Sequence, residues 1–488
     1  MNYHLMTPEI IVAASAVAVI LADLVVKQKG LLAALSIAGL LASLAVSVSL
    51  WGRDDNTLFG GMLRVDHLAI FFNFLFCGTA ILVILASTDY IARLSRFQGE
   101  YYALILLSAV GMMFMAASRD MVAIYISLEL TSISLYVLAA FLKDARSSEA
   151  GLKYLILGAI ASGVLLFGMA LTFGVTGETS LDGIFNSLNE SGIGVTNSAL
   201  LLGVIFLVAG FGFKIAAVPF QMWVPDVYEG APTPVTAYLS VASKAVGFAV
   251  ILRVFLEGFG VDQLISDWAM IFAVLAAISM TVGNVIATRQ TNIKRMLGYS
   301  SIAQAGYLMV GLAAVTKGTA GHGTDAAFFG PTGILFFLGC YALANLAVFF
   351  VVIAITNKTK SDEIADFSGM GHRAPLMSLA LTLGLISLTG LPPAAGFLAK
   401  FYLFNAAVNQ GLAWLVVVGV LNTAISAYYY FRVVKVTWFG APKSEEKVTS
   451  SWALQLALVL ACLGVLVVFF FPSPVVDIAR SAASAILP

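Results

Sequence analysis

Long apolar runs follow one another along the chain, separated by short polar stretches, and the pattern predicts helices throughout. Fourteen runs approach or exceed the roughly 20 residues that cross a bilayer core: 8-26, 31-51, 67-88, 101-118, 120-142, 149-175, 199-220, 232-256, 268-288, 297-316, 330-355, 376-406, 412-438 and 452-471. Inside each run the 3.6-residue period is weak, as expected of helices apolar on most sides. A run such as "LLAALSIAGLLASLAVSVSL" lacks the period-two alternation of lipid-facing barrel strands. The expected fold is all-α and polytopic, with about fourteen transmembrane helices.

Composition agrees: 60% of the residues are hydrophobic, 11% are charged, and mean hydropathy is +0.97, beyond what a soluble domain buries in its core. The opening "MNYHLMTPEI" has no basic leader and no cleavage pattern, so the first run reads as a retained span. Cys77, Cys340 and Cys462 lie in or beside apolar runs without metal-ligand spacing, which argues against disulfides, zinc and iron–sulfur clusters. Phosphate-loop, haem and dinucleotide motifs are missing too, so no cofactor or metal is expected in this chain. Any redox chemistry falls to partners, and no nucleic-acid partner is expected.

Charge sorts the loops between two sides. One side collects sixteen cations: Lys27, Lys29, Arg93, Arg96, Lys143, Arg146, Arg289, Lys294, Arg295, Lys358, Lys360, Arg373, Arg432, Lys435, Lys443 and Lys447. The other holds six: Arg53, Arg64, Arg119, Arg253, Lys317 and Arg480. That bias puts the larger group in the cytoplasm and both termini outside. The loop at 226–231 departs from it, with Asp226, Glu229 and no cation.

Lys153, Lys214, Lys244 and Lys400 remain inside or at the edge of spans, with Glu129 as the carboxylate well inside one. A charge at mid-bilayer costs about 2.5–3.5 kcal/mol on insertion scales, so each needs a reason. Lys153 is only four residues into its span, and snorkelling to the edge is one reading. Glu129 as a purely structural ion-pair partner is another. The functional reading is a relay: burial favours the neutral form of a lysine, a carboxylate nearby favours the charged form, and a chain of such groups passes protons.

Helix breakers sit beside these lysines. Pro219 follows Lys214, Lys400 follows Gly390, Pro392, Pro393 and Gly396, and Lys244 comes ten residues after Pro234. Interrupted helices at membrane depth are tolerated where they line a cavity or pack in protein. The breaks fall in the seventh and twelfth spans, five apart, which suggests five-helix repeats over spans four to eight and nine to thirteen; an odd number inverts the copies. The tenth span has no carboxylate to match Glu129. The chain then divides as 1–100, 101–260, 261–440 and 441–488: three leading helices, two repeats, and a last helix with its tail.

Four stretches carry a family resemblance: "EAGLKYLILGAIASG" (149–163), "GFGFKIAAVPFQMWVPDVYEGAPTPVTAYLSVASKAVGFA" (210–249), "NIKRMLGYSSIAQAGYLMVG" (292–311) and "LTGLPPAAGFLAKFYLF" (388–404). They resemble the antiporter-like N-type subunit of bacterial respiratory complex I, the proton-pumping NADH:quinone oxidoreductase, counterpart of mitochondrial subunit 2. The resemblance implies fourteen core helices, two inverted five-helix repeats, and interrupted seventh and twelfth helices. It further implies that Glu129 is the fifth-helix glutamate, Lys214 its partner, Lys244 the central lysine and Lys400 the exit-facing residue. Lys153 matches a lysine characteristic of the N-type subunit. Lysine at 400 argues against the M-type, and the absence of a long lateral helix after 471 argues against the L-type.

Gln304 stands where many relatives have histidine, so that position orients water but does not store a proton; packing against Tyr299 or Tyr307 is the alternative. Lys153, Gln304 and Tyr299 are secondary members of the expected path. NADH, FMN, iron–sulfur clusters and quinone would belong to the parent complex. Expected partners are its peripheral and membrane subunits, neighbouring antiporter-like and small membrane subunits among them, and the bilayer of the bacterial inner membrane. Rival readings are a subunit of a cation/proton antiporter or membrane-bound hydrogenase, a self-contained solute carrier, and a scaffold.

Overall fold

The computed structural model describes residues 3–52, 57–93, 97–191, 197–315, 329–442 and 444–486. Of the sorted cations, Arg53, Arg96, Lys317 and Lys443 lie outside the described residues, as does the last residue of the span ending at 316.

The first three long helices are α1 (Thr7–Val25), α2 (Gly30–Leu50) and α3 (His67–Ile91). Strands β1 (Thr57–Leu58) and β2 (Leu63–Arg64) form a small antiparallel hairpin between the last two. Then come α4 (Gln98–Ala117), α5 (Met121–Ala139), α6 (Ala145–Thr176), the amphipathic α7 (Leu181–Ser191) and α8 (Ser198–Ile215). Helix starts follow N-cap chemistry: Asp66, Asp120, Asp144 and Asn197 each accept a backbone N–H from the first turn of α3, α5, α6 and α8. Gly177, left-handed at φ 73°, ends α6.

The chain continues through α9 (Trp223–Gly230), α10 (Thr233–Tyr238) and α11 (Lys244–Leu252). The π-helical stretches Leu239–Ser243 and Arg253–Gly258 join α10 and α11 into one helix from Thr233 to Gly258, buried along its whole length. Next are α12 (Asp262–Ala287), α13 (Ile293–Ala313), α14 (Phe329–Thr359), the short α15 (Met370–Arg373), α16 (Pro375–Thr389) and α17 (Ala395–Asn409). Helices α18 (Ala413–Phe439), α19 (Trp452–Phe470) and α20 (Ser473–Ser484) follow.

Each of the fourteen predicted runs overlaps one or more of these helices. Among the described residues twelve helices are long and apolar enough to cross a membrane. Helix α13, with Lys294 and Arg295 in its first turn, and the fifteen-residue α16 and α17 are outside that set. The amphipathic α7 and α20 were not anticipated: Leu181, Ile184 and Leu188 of α7, and Val476, Ala479 and Ala483 of α20, bury one face of each.

Two predicted breaks are displaced. The seventh run ends at Ile215, before Pro219, because Ala216 turns left-handed at φ 63°. Pro234 opens α10 rather than breaking it, since proline is at home in a first turn; the distortion beside Lys244 is the π-helical stretch before it. The twelfth run is interrupted as expected, ending α16 at left-handed Gly390 and resuming at Ala395.

Candidate functional site

A helix leaves its last carbonyls without intrahelical partners and with partial negative charge. In this chain both interrupted helices meet that need with a lysine. Lys244 Nζ donates to the carbonyl of Ile215, the last residue of α8, at 3.3 Å, and to the carbonyl of Ser301. Lys400 Nζ donates to the carbonyl of Thr389, the last residue of α16, at 2.8 Å, and to Thr423 Oγ1 at 3.3 Å. The Lys400 ammonium also lies 4.0 Å from the centre of the Tyr307 ring. Lys214, Lys244 and Lys400 are all at most 7% exposed.

Glycine makes both contacts possible. A Cβ at Gly390 would stand 2.7 Å from Lys400 Cδ, and one at Gly247 would stand 2.6 Å from Ile215 Cγ2. Pro219, Pro392 and Pro393 lie in the irregular segments that follow α8 and α16.

Lys214, in the last turn of α8, donates to Ser132 Oγ on α5, with its ammonium 5.8 Å from the Tyr136 ring centre. Ser132 is three residues along α5 from Glu129, on the same face. No ion pair within 4 Å joins Lys214 to Glu129, although the carboxylate lies near enough to act on the ammonium electrostatically. Glu129 is half-buried, and its Oε1 is buried without a hydrogen-bond partner.

Between Lys244 and Lys400 runs a line of hydroxyls. Ser301, whose carbonyl holds Lys244, meets Tyr228 OH and Tyr341 OH through its Oγ, each at 3.2 Å. Gln304, one turn along α13 from Ser300 and Ser301, donates to the Leu388 carbonyl at 2.9 Å and to Tyr430 OH at 3.5 Å; Tyr430 OH also bonds Ser300 Oγ. A cavity of about 10 Å³, lined in part by Gln304, Tyr341, Ser387 and Lys400, has room for about one water. Tyr299 joins none of these contacts and packs half-buried against the apolar core.

Lys153 stands apart from the line. Its side chain is 43% exposed and pairs with Glu149 at 2.8 Å and Asp226 at 2.9 Å. Asp226 and Glu229 also receive Arg295 at 2.7 and 3.0 Å. Arg146 bridges Glu229 and Asp362, and Lys294, buried rather than in a loop, donates to the Ala231 carbonyl. The cation-free stretch 226–231, which lies mostly in α9 rather than in a loop, is thus neutralised by cations from the same predicted side. Burial raises the Asp226 carboxyl, but hydrogen bonds from Lys153 and Arg295 outweigh it and hold the group below the usual carboxylate range.

A second ionic cluster lies at the far end of the buried Thr233–Gly258 helix, whose 26 residues rise about 39 Å. Arg253, sorted by sequence as a loop cation, is fully buried. It pairs with Asp66 at 2.7 Å and Glu257 at 2.9 Å and donates to the Ala116 carbonyl. Arg119 bridges Glu257 and Asp182, and Arg64 approaches Asp66 at 3.7 Å. Glu9, Asp66 and Glu257, all at helix ends, are buried carboxylates in addition to the half-buried Glu129 well inside α5. The i, i+4 spacing of Arg253 and Glu257 was a signal for that pair; nothing local marks Asp66, 187 residues away in the chain.

Buried lysines at the ends of interrupted helices, inside an all-α polytopic bundle, define a membrane protein of the antiporter-like class. The family model described as NADH:quinone oxidoreductase/Mrp antiporter, TM, matches residues 118–426. The chain belongs to that family. It is 48% identical, over 99% of each chain, to NADH-quinone oxidoreductase subunit N of Dehalococcoides mccartyi. Among solved structures, a chain of respiratory complex I from Thermus thermophilus with bound aureothin matches with a TM-score of 0.80 and 30% identity, over 96% of this chain and 99% of that one. A chain of the Mrp complex from Dietzia sp. matches with a TM-score of 0.86 over 100% and 98%, but at 18% identity it shares the fold alone.

Proposed function

We propose that this chain is a proton-translocating membrane subunit of a respiratory NADH:quinone oxidoreductase, without a redox centre of its own. The observation that carries the reading is the placement of Lys244 and Lys400 on the terminal carbonyls of two interrupted helices, joined by hydroxyls and Gln304. The full-length relation to the N-type subunits favours the oxidoreductase over the cation/proton antiporter.

In this reading redox chemistry in partner subunits changes the field at Glu129. A proton held near Glu129 and Lys214 passes to Lys244, then through the Ser301 and Gln304 region to Lys400, and leaves on the outer side. Gln304 orients the path and stores no proton, because an amide does not ionise near neutral pH. Lys153, half-exposed and doubly paired, acts at the cytoplasmic edge. NADH, FMN, iron–sulfur clusters and quinone reside in partner subunits.

The topology proposed with it has fourteen spans in the bacterial inner membrane, both termini outside, and two inverted five-helix repeats within 101–260 and 261–440. It is supported by the separation of the two ionic clusters and by the matching lysine-capped breaks five spans apart. The test is Lys214→Met and Glu129→Ala in the assembled complex. Both variants should lose most proton pumping per electron; an unchanged ratio in both defeats the reading.

A further inference from the structure

Outside the segment that the family model matches, the first three helices enclose a polar site unused by the lysine line. Glu9, in the first turn of α1, is 3% exposed, and its Oε1 accepts from Asn73 Nδ2 on α3 at 3.4 Å. Its Oε2 has no hydrogen-bond partner, and neither do Asn73 Oδ1 or Ser43 Oγ on α2. Cys77, one turn along α3 from Asn73, lies beside both Ser43 and Glu9. Glu9 of α1 and Asn73 of α3 thus meet as a buried polar pair whose Oε2 and Oδ1 are both left without a partner.

Among the described residues no ion pair reaches that carboxyl, and the side chain that bonds it, Asn73, is neutral. Helix α2 has no ionisable residue. On α3, His67 stacks on Trp51 and the neighbouring titratable group is the Cys77 thiol. On α4, Glu100 lies in the first turn with Tyr101 and Tyr102 beside it, at the cytoplasmic end by the predicted topology. Tyr3 and His4, ahead of α1, are exposed. The α1 N-terminus favours an anion only fractionally, and a desolvated carboxylate without a counter-ion takes up a proton instead. The acid form supplies the missing donor: an O–H at Oε2, with Asn73 Oδ1 as acceptor, directly or through a bridging water.

We infer that Glu9, with Asn73, is a proton-binding site of the N-terminal helices, occupied by an exchangeable proton in the folded chain. The proton comes from bulk water as the carboxylate becomes the acid and returns there on release. The site stands independently of the lysine path.

The test is infrared spectroscopy of the intact complex, wild type minus Glu9→Gln, near neutral pH. Glutamine is neutral and shaped like the acid form. The expected result is an assembled variant of unchanged thermal midpoint, and a difference spectrum with a protonated-carboxyl C=O band that moves down in D2O. Loss of carboxylate bands instead would overturn the inference, as would carboxylate bands that shift with sodium, which would mark a monovalent-cation site. Failure of the Glu9→Gln variant to assemble would overturn it too, because a neutral isostere keeps what the acid form provides.

Discussion

Gly390→Ala tests whether the break in the twelfth span is shaped around Lys400. Gly390 has φ +86°, a conformation that costs an alanine about 1–2 kcal/mol. The added methyl would stand 2.7 Å from Lys400 Cδ and 3.3 Å from Cε, an overpacking of about 1–3 kcal/mol. The stem has little freedom to retreat, since its ammonium is held by the Thr389 carbonyl, Thr423 and the Tyr307 ring. The two costs together give about 2–5 kcal/mol, read by denaturant titration of the solubilised protein. Proton pumping per electron should fall as well, because the methyl pushes the ammonium off the helix end.

A double-mutant cycle separates the terms. In a Lys400→Ala background the stem is gone, and Gly390→Ala should cost only the backbone part, about 1–2 kcal/mol. Lys400→Met keeps an atom at the Cδ position, so the steric part should persist while the ammonium is lost. Equal costs of Gly390→Ala in the wild-type and Lys400→Ala backgrounds would refute the claim that the glycine makes room for the lysine.

Two further predictions concern the ionic clusters. Arg253→Met removes the buried partner shared by Asp66 and Glu257, leaving Asp66 only Arg64 at 3.7 Å and Glu257 only Arg119, and should cost up to about 3–5 kcal/mol in the same titration; adding Asp66→Asn should recover part of it, since asparagine still caps α3, and no recovery would argue against charge as the cause. For Asp226 the folded carboxyl sits below its ordinary value, so its stabilising contribution is full above about pH 3.9 and is lost as pH falls through the lower folded value. Asp226→Asn should remove that part of the acid loss, and an unchanged acid limb in stability against pH would count against the Lys153–Asp226–Arg295 network.

Much of this architecture was legible in the chain because a bilayer leaves few choices: a long apolar run must satisfy its backbone internally, and a helix does so. The lysines were legible for the same reason, as a charge in such a run is costly enough to stand out. What was hidden was long-range. Lys214 bonds Ser132 directly and meets Glu129 only electrostatically, because side-chain contacts across helices depend on rotation and height, which a single sequence does not encode. Ala216 carries no glycine signal for its left-handed turn, so the break appeared to belong to Pro219. Arg253 looked like a loop cation because the end of the eighth span looks alike whether the π-helical stretch there is exposed or buried.

Among the described residues, ion pairs gather at the two ends of the bundle, and none within 4 Å joins Lys214, Lys244 or Lys400. At both ends, arginines and carboxylates meet in nearly balanced sets, and taking one proton or one partner away leaves a buried charge uncompensated. Such clusters hold helices in register and resist change. In the middle, Lys244 and Lys400 face helix-end carbonyls, whose partial negative charge belongs to the backbone and needs no counter-ion when the lysine becomes neutral. A proton can therefore leave either lysine without stranding an anion, and the carbonyl remains in place to receive the next ammonium. On the proposed path, the interrupted helix thus supplies a fixed acceptor to which a lysine can return after each proton has passed.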